Sequence, residues 1–255
     1  MRVAAPSFVL PGTVAENARF LAGRVEEVGL CCFETAGCLA YTAADLPPEL
    51  AELPLRWHVH LPVDLPWGDG GEAAAGAALA VFGRVAYLSP HLAVLHPPAD
   101  LPRDAARKAL AAFARRWRAG GAPPLLLENI RGCQLTGLGL AFLEGEGLGV
   151  CLDVGHLLGY AQAELLASEL PERARLIHWS APGPQPGKDR HLPLPALTAG
   201  QRAVARGLLR RISPEAVHLL EIFDWPGVKA SRRWLGEAAA EARLGGAARL
   251  RGGVA

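Results

Sequence analysis

Eight short apolar runs recur along the chain, and segments of helical periodicity separate most of them. The runs are Arg2–Val9, Val28–Glu34, Leu55–His60, Leu92–His96, Pro124–Asn129, Val150–Val154, Arg175–His178 and Ala216–Phe223. The intervening segments read as helices over Val14–Val25, Tyr41–Leu53, Glu72–Val85, Arg103–Ala119, Gly137–Glu144, Leu157–Leu170, Thr198–Ile212 and Gly227–Arg243. Continuous apolar strands need cover on both faces, and alternating helices supply it, so the strands are expected to be parallel. Eight such units close into a (β/α)8 TIM barrel. An open doubly wound sheet is the alternative, but no Gly-rich phosphate loop follows the first run.

The length of 255 residues suits one barrel of this kind, and 51% hydrophobic content suits strands buried on both faces. Residues 1–243 are expected to form the catalytic barrel, with 244–255 a frayed C-terminal tail. A formal net charge of +1 makes no demand for a nucleic-acid partner. The cysteines at 31, 32, 38, 133 and 151 lack zinc-ribbon spacing and read as reduced, mostly buried thiols. With neither a signal-peptide core nor an apolar run of membrane length, the expected location is the cytoplasm. The sequence does not set an oligomeric state.

The chemistry is concentrated where the strands end. His60, His96, Glu128, Asp153 with His156, and His178 close successive runs; Asp189 and His191 lie in the next loop, and Glu221 closes the last run. In a barrel these positions share the C-terminal rim, where active sites are built. Taken singly, Asp153 also reads as the cap of the following helix, and each histidine as a polar rim residue. Taken together, five histidines and four carboxylates would leave buried charge uncompensated unless metal ions were bound. Imidazole and carboxylate ligands without thiolate suit zinc first and manganese second. His58, His91 and His218 fall outside this set; His58 sits one layer below His60 on the same strand face.

The motifs LLLENI (Glu128), LDVGH (Asp153, His156), LIHWSAP (His178), KDRH (Asp189, His191) and LLEIF (Glu221) resemble those of the xylose isomerase-like barrels, in the branch that contains AP endonuclease family 2. The resemblance implies two or three divalent metals. Carried over, His60, His96 and Glu128 would hold one; Glu128, Asp153, His178 and Glu221 a second; and His156, Asp189 and His191 a third. Glu128, shared by two metals, would be the catalytic residue. One departure is Pro97-Pro98 after His96, where the endonucleases commonly have Pro-Gly.

A finer resemblance links PSFVLPGTVAEN, HVHLPVDLPW and LDVGHLLGY to the CbiR family of cobamide-remodelling phosphodiesterases. It implies hydrolysis of the nucleotide-loop phosphodiester of a cobamide, giving a cobinamide and an α-ribazole phosphate. The partner would then be a small corrinoid, not nucleic acid or membrane. A one-metal sugar isomerase or epimerase, an AP endonuclease IV-like repair enzyme and a non-catalytic metal barrel are the other readings. Trp67, Trp179 and Trp225 follow strand ends; they would either pack loops onto the rim or offer a flat aromatic surface to a large ligand.

Overall fold

The computed structural model describes residues 1–185, 187 and 190–251, with side chains as far as Ala242. Its elements in order are β1 Arg2–Pro6, α1 Val14–Leu21, β2 Glu27–Cys31, α2 Thr35–Leu39, β3 Arg56–His60, α3 Gly71–Val85, β4 Ala93–Leu95, α4 Arg103–Ala119 and β5 Leu125–Glu128. They continue with α5 Leu140–Gly145, β6 Gly149–Asp153, α6 Val154–Gly159, α7 Ala163–Ala167, α8 Leu170–Arg173, β7 Ala174–Trp179, α9 Ala199–Leu209, β8 Val217–Leu220 and α10 Trp225–Arg251. Every neighbouring strand pair is parallel, and β8 returns to pair with β1 through Arg2–Val217 and Ala4–Leu219, closing the eight-stranded barrel. The backbone of 244–251, expected to belong to a frayed tail, continues α10, and residues 252–255 lie outside those described. Among the described residues no helix is long and apolar enough to cross a membrane.

Side-chain alternation sorts each strand into two layers. Ala4, Leu92, Val94, Leu126, Cys151, Leu176, Val217 and Leu219 point inward and fill the barrel as a small cluster of their own. Val3, Ala5, Val28, Leu30, Val59, Leu125, Leu127, Val150, Leu152, Ile177 and Leu220 point outward into the larger core beneath the helices. α4 shows why the outer layer holds: Leu110, Phe113 and Trp117 recur at helical spacing and are buried, each contributing about 1.5–3 kcal/mol. α3 packs against this helix at Gly71, where an added Cβ would meet the Ala109 carbonyl oxygen at 1.9 Å.

Two expected helices differ. The segment 41–53 is a turn, held by Asp45 Oδ2 accepting from the Thr42 N–H at 2.9 Å, followed by a 3-10 turn over Pro48–Glu52. Pro47 and Pro48 disfavour the α conformation before them, which moves α2 upstream to Thr35. The segment 157–170 is divided among three short helices, interrupted by Ala161 at φ 51° and by Ser168, which is extended after α7; Pro171 sits in the first turn of α8. The five cysteines form no disulfide, and four of them are buried.

Below the ligand layer lies a second polar group. Glu27 is fully buried in β2, and its Oε1 accepts from His58 Nδ1 at 2.7 Å and His91 Nε2 at 2.8 Å. Gly29 makes room for this group, since an added Cβ there would meet His58 Nε2 at 2.6 Å.

Candidate metal centre

Inward alternation at the strand ends brings the predicted ligands together. His60 is two residues beyond inward His58, His96 two beyond Val94, Glu128 two beyond Leu126, Asp153 two beyond Cys151, His178 two beyond Leu176 and Glu221 two beyond Leu219. One ligand from each of six successive strand ends therefore faces the barrel axis in one layer. The potential ligand atoms of His60, His96 and Glu128 all lie within 4.8 Å of one another, and so do those of Glu128, Asp153, His178 and Glu221. Glu128 belongs to both groups.

Glu128 Oε2 lies 3.1 Å from His60 Nε2, 3.6 Å from His96 Nε2 and 3.4 Å from His178 Nδ1, while Glu128 Oε1 lies 3.2 Å from His156 Nδ1. His178 Nδ1 is also 3.2 Å from Glu221 Oε2 and 3.7 Å from Asp153 Oδ2. Yet Asp153 Oδ2, His178 Nδ1 and Glu221 Oε2 are buried without a hydrogen bond of acceptable geometry. Buried polar atoms converging unpaired on one point are costly, and a divalent cation removes that cost. The residues present therefore fit a metal.

The two readings of Asp153 are compatible, and the helix cap is formed. Its Oδ1 caps α6 by accepting the His156 N–H at 2.5 Å, leaving Oδ2 for the centre. Asn129 braces the pair: its Oδ1 accepts the Asp153 N–H at 2.7 Å, and its Nδ2 donates to the Asp153 carbonyl at 2.9 Å and to Gln162 Oε1 at 2.8 Å. The Asn129 carbonyl accepts from His156 Nδ1 at 2.9 Å, which leaves Nε2 as the ligand nitrogen of His156. Sequence reasoning missed Asn129 and Gln162; the polar residue directly after Glu128 in LLLENI was the signal.

Without metal, the group distributes protons unevenly. Burial pushes Glu128 up, but the surrounding imidazoles outweigh it and hold its carboxyl well below the usual range. Burial and the nearby Glu128 and Glu221 charges push Asp153 well up despite its histidines. Burial pulls His156 down, but Asp153 and Glu128 raise it to about 11. Burial lowers His96 despite Glu128. Cys151 also lies within 4.8 Å of Glu128 and His178, but burial holds its thiol up at about 12, so the carboxylates are the readier ligands.

The third expected group is described in part. His156 and His191 approach with ring centroids 6.3 Å apart, and His191 Nδ1 is 3.6 Å from Glu221 Oε2; Asp189 lies outside the described residues. His191 has φ 46°, a left-handed backbone rarely adopted by a non-glycine residue, held by the Ala181–Leu192 bridge beside it.

A cavity of ≈ 600 Å³ opens above the centre, lined by His60, His96, Glu128, His156, His191 and Glu221 on one side and by Phe8, Leu10, Pro11, Phe33, Val63 and Phe223 on the other. Of the two readings of Trp67, Trp179 and Trp225, the contacts give packing, and none of the three is among the residues lining this cavity. Trp179 follows His178 by one residue, so it points outward; it is fully buried and donates from Nε1 to His218 Nδ1 at 2.9 Å. Trp67 packs on Phe113 at 5.3 Å and Trp225 edge-on to Phe20 at 5.2 Å. The aromatic side chains that do line the cavity are Phe8, Phe33 and Phe223, and their signal was an aromatic residue shortly after β1, β2 and β8.

No family model matches the sequence, and no curated protein matches it. Solved structures do. A D-tagatose 3-epimerase-like protein is 17% identical with a TM-score of 0.70, covering 96% of this chain and 99% of its own. The Thermus thermophilus protein TTHB071, soaked with zinc chloride, is 24% identical with a TM-score of 0.64, covering 94% and 98%. Endonuclease IV from Thermus thermophilus is 19% identical with a TM-score of 0.67, covering 93% and 100%. A xylose isomerase domain containing protein from Salmonella typhimurium aligns equally widely, over 95% of this chain, at a TM-score of 0.63. The finer resemblance to cobamide phosphodiesterases is not carried by these matches. At such identities the likeness speaks for the fold alone: this chain is a closed eight-stranded parallel barrel with flanking helices.

Proposed function

We propose that this protein is a metal-dependent phosphodiesterase acting on the nucleotide-loop phosphodiester of cobamides, releasing a cobinamide and an α-ribazole phosphate. The observation that carries the hydrolase reading is the pair of ligand groups sharing Glu128, since a one-metal isomerase needs only one of them. The cobamide assignment rests on the short N-terminal motifs and on the apolar half of the cavity.

Divalent ions would supply positive charge to the phosphate oxygens and lower the pKa of water to about 7. His60, His96 and Glu128 would hold one ion, with Asp153, His178 and Glu221 joining Glu128 around the other. Asn129 fixes the orientation of Asp153 and His156, so neither ligand must reorganise during the reaction. The buried floor excludes water from the reacting phosphate except through the cavity mouth. Zinc is the first choice of metal and manganese the second, on the donor set.

A sugar isomerase or epimerase is the second reading. It is favoured by the completeness of the four-residue group around Glu128, Asp153, His178 and Glu221, and by the epimerase-like structure among the matches. It leaves His60 and His96 without a ligand role. An endonuclease activity draws on the likeness to endonuclease IV but lacks cationic side chains among the described residues lining the cavity. The test is incubation of the zinc- or manganese-loaded protein with a cobamide, following cobinamide release by chromatography. Cobamides left intact, with interconversion of a ketose and its epimer, would replace the first reading by the second.

A further inference from the structure

The cavity has two unlike halves, and their positions around the barrel differ. The metal ligands come mainly from the ends of β3 to β7. The phenylalanines of the apolar half come from the loops after β8, β1 and β2, which are neighbours across the closure of the barrel, and Val63 joins them from the loop after β3. Phe223, Phe8 and Phe33 therefore form one arc facing the ligands across the opening. Phe33 lies in the middle, 5.8 Å from Phe8 at 30° and 5.8 Å from Phe223 at 66°. Phe223 meets the His191 ring edge-on at 5.2 Å, so the arc is continuous with the ligand layer.

Phe33 is 41% exposed and Phe223 37%, with Val63 beside them at 50%. One exposed phenylalanine is ordinary, but a contacting row on the wall of a cavity marks a surface that is covered in use. Among the described residues lining the cavity none is Lys or Arg. A ligand carrying several phosphates would leave charge unmatched there, whereas one phosphodiester would be neutralised by the ions. A hydroxyl-rich group against the three rings would leave its donors unpaired. The arc suits a flat, uncharged ring system.

We infer that Phe8, Phe33 and Phe223 are the specificity wall of this site, and that they stack on a bicyclic heteroaromatic base linked through its pentose to the phosphodiester held at the metals. The inference rests on the phosphodiesterase reading. It places the remainder of a large substrate outside the cavity, over the exposed Phe33–Val63 edge.

The test is equilibrium binding to the metal-loaded protein of three probes: inorganic phosphate, ribose 5-phosphate and a benzimidazole ribonucleoside monophosphate. The nucleotide should bind more tightly than ribose phosphate by about tenfold or more, the range of one base stacked on an aromatic ring. Phe33→Ser and Phe223→Ser should each remove most of that difference while leaving ribose phosphate affinity and metal content unchanged. Phe33→Tyr, which keeps the ring face, should retain it. Both positions are partly exposed, so thermal melting of each variant should match the wild type. Equal affinities for the nucleotide and ribose phosphate, or equal losses for both in Phe33→Ser, would overturn the inference. Cobamide cleavage is scored separately: tight, Phe33-dependent nucleotide binding without cleavage sinks the phosphodiesterase reading and leaves the wall in place.

Discussion

His60 Nε2 and Glu128 Oε2 face each other at 3.1 Å, and His60 Nδ1 is 2.9 Å from the Leu61 carbonyl oxygen. A carbonyl only accepts, so Nδ1 carries a proton and Nε2 is the nitrogen presented to Glu128. His96 Nε2 and His178 Nδ1 approach the same carboxylate oxygen at 3.6 and 3.4 Å. One proton can join that oxygen to one imidazole only. Divalent cations held by His60, His96 and Glu128 and by Glu128, Asp153, His178 and Glu221 would supply the charge that the whole set lacks.

Glu128→Gln should therefore do more than weaken one site. The amide keeps the shape but removes the charge that offsets two cations, so metal content by elemental analysis should fall from two or three equivalents by more than one, and hydrolysis should be lost. His191→Ala should remove at most one equivalent and leave measurable activity. Wild-type protein that saturates at one equivalent, with His60→Ala leaving that value unchanged, would favour the isomerase reading.

Asn129 is the brace whose loss separates structure from ligation. Asn129→Ala strips the partners from the Asp153 N–H and carbonyl and from Gln162 Oε1, all within a buried network. Unfolding free energy should fall by about 2–4 kcal/mol, from lost bonds and groups left unpaired. Metal affinity should fall about 10–100-fold, the usual cost of removing a ligand's supporting partner. Denaturant titration and metal competition read the two effects independently. Unchanged metal affinity in a destabilised variant would confine Asn129 to the scaffold.

The convergence of the candidate ligands was legible because strands impose a period of two. Six inward residues at six strand ends need only the strand boundaries, and α4 was legible over its full Arg103–Ala119 span from helical spacing alone. The same alternation excluded Trp179, one residue past His178, although reading strand ends without regard to parity admitted it. Phe8, Phe33 and Phe223 lie in loops, where no period assigns a face, and they meet only because β8, β1 and β2 are adjacent in the closed barrel. The break at Ala161 was illegible for a similar reason: it follows from Gln162 turning in to meet Asn129, a contact between residues 33 positions apart. Glu34, read as a strand-ending carboxylate, is exposed and caps α2 by position without a side-chain hydrogen bond.

The polar group under the metal centre should govern acid stability. Burial raises Glu27, but hydrogen bonds from His58 and His91 outweigh it and hold its carboxyl at about 2, below its ordinary 4.5. A carboxyl depressed on folding contributes stability above the unfolded value, lost as pH falls from about 4.5 toward 2, and worth up to about 3 kcal/mol. Burial also lowers His58, and lowers His218 to about 4 with help from the N-terminal charge. These rings fold neutral, so their stabilisation is present above about 6.5 and, for His218, is lost between 6.5 and 4. Unfolding free energy should therefore decline from about pH 6.5 downward in two stages. Glu27→Gln should flatten the lower stage only, as read by denaturant melts at stepped pH. An unaltered acid limb in that variant would remove Glu27 from the account.

The charge balance predicts what the protein leaves alone. Binding to a DNA backbone draws on released counterions, and each neutralised phosphate adds about 0.9 to the slope of log affinity against log salt. A chain with formal net charge +1, and with no Lys or Arg among the described residues lining its cavity, offers few such contacts. The exposed large apolar side chains lining the cavity, Phe33, Val63 and Phe223, cannot pair with phosphate oxygens. An abasic duplex should therefore remain uncut at physiological salt with zinc or manganese, and its binding should show a shallow salt slope. Efficient incision, with a slope that reports several phosphate contacts, would mean that the metals serve DNA repair and that the phenylalanine arc reads an unstacked nucleotide instead.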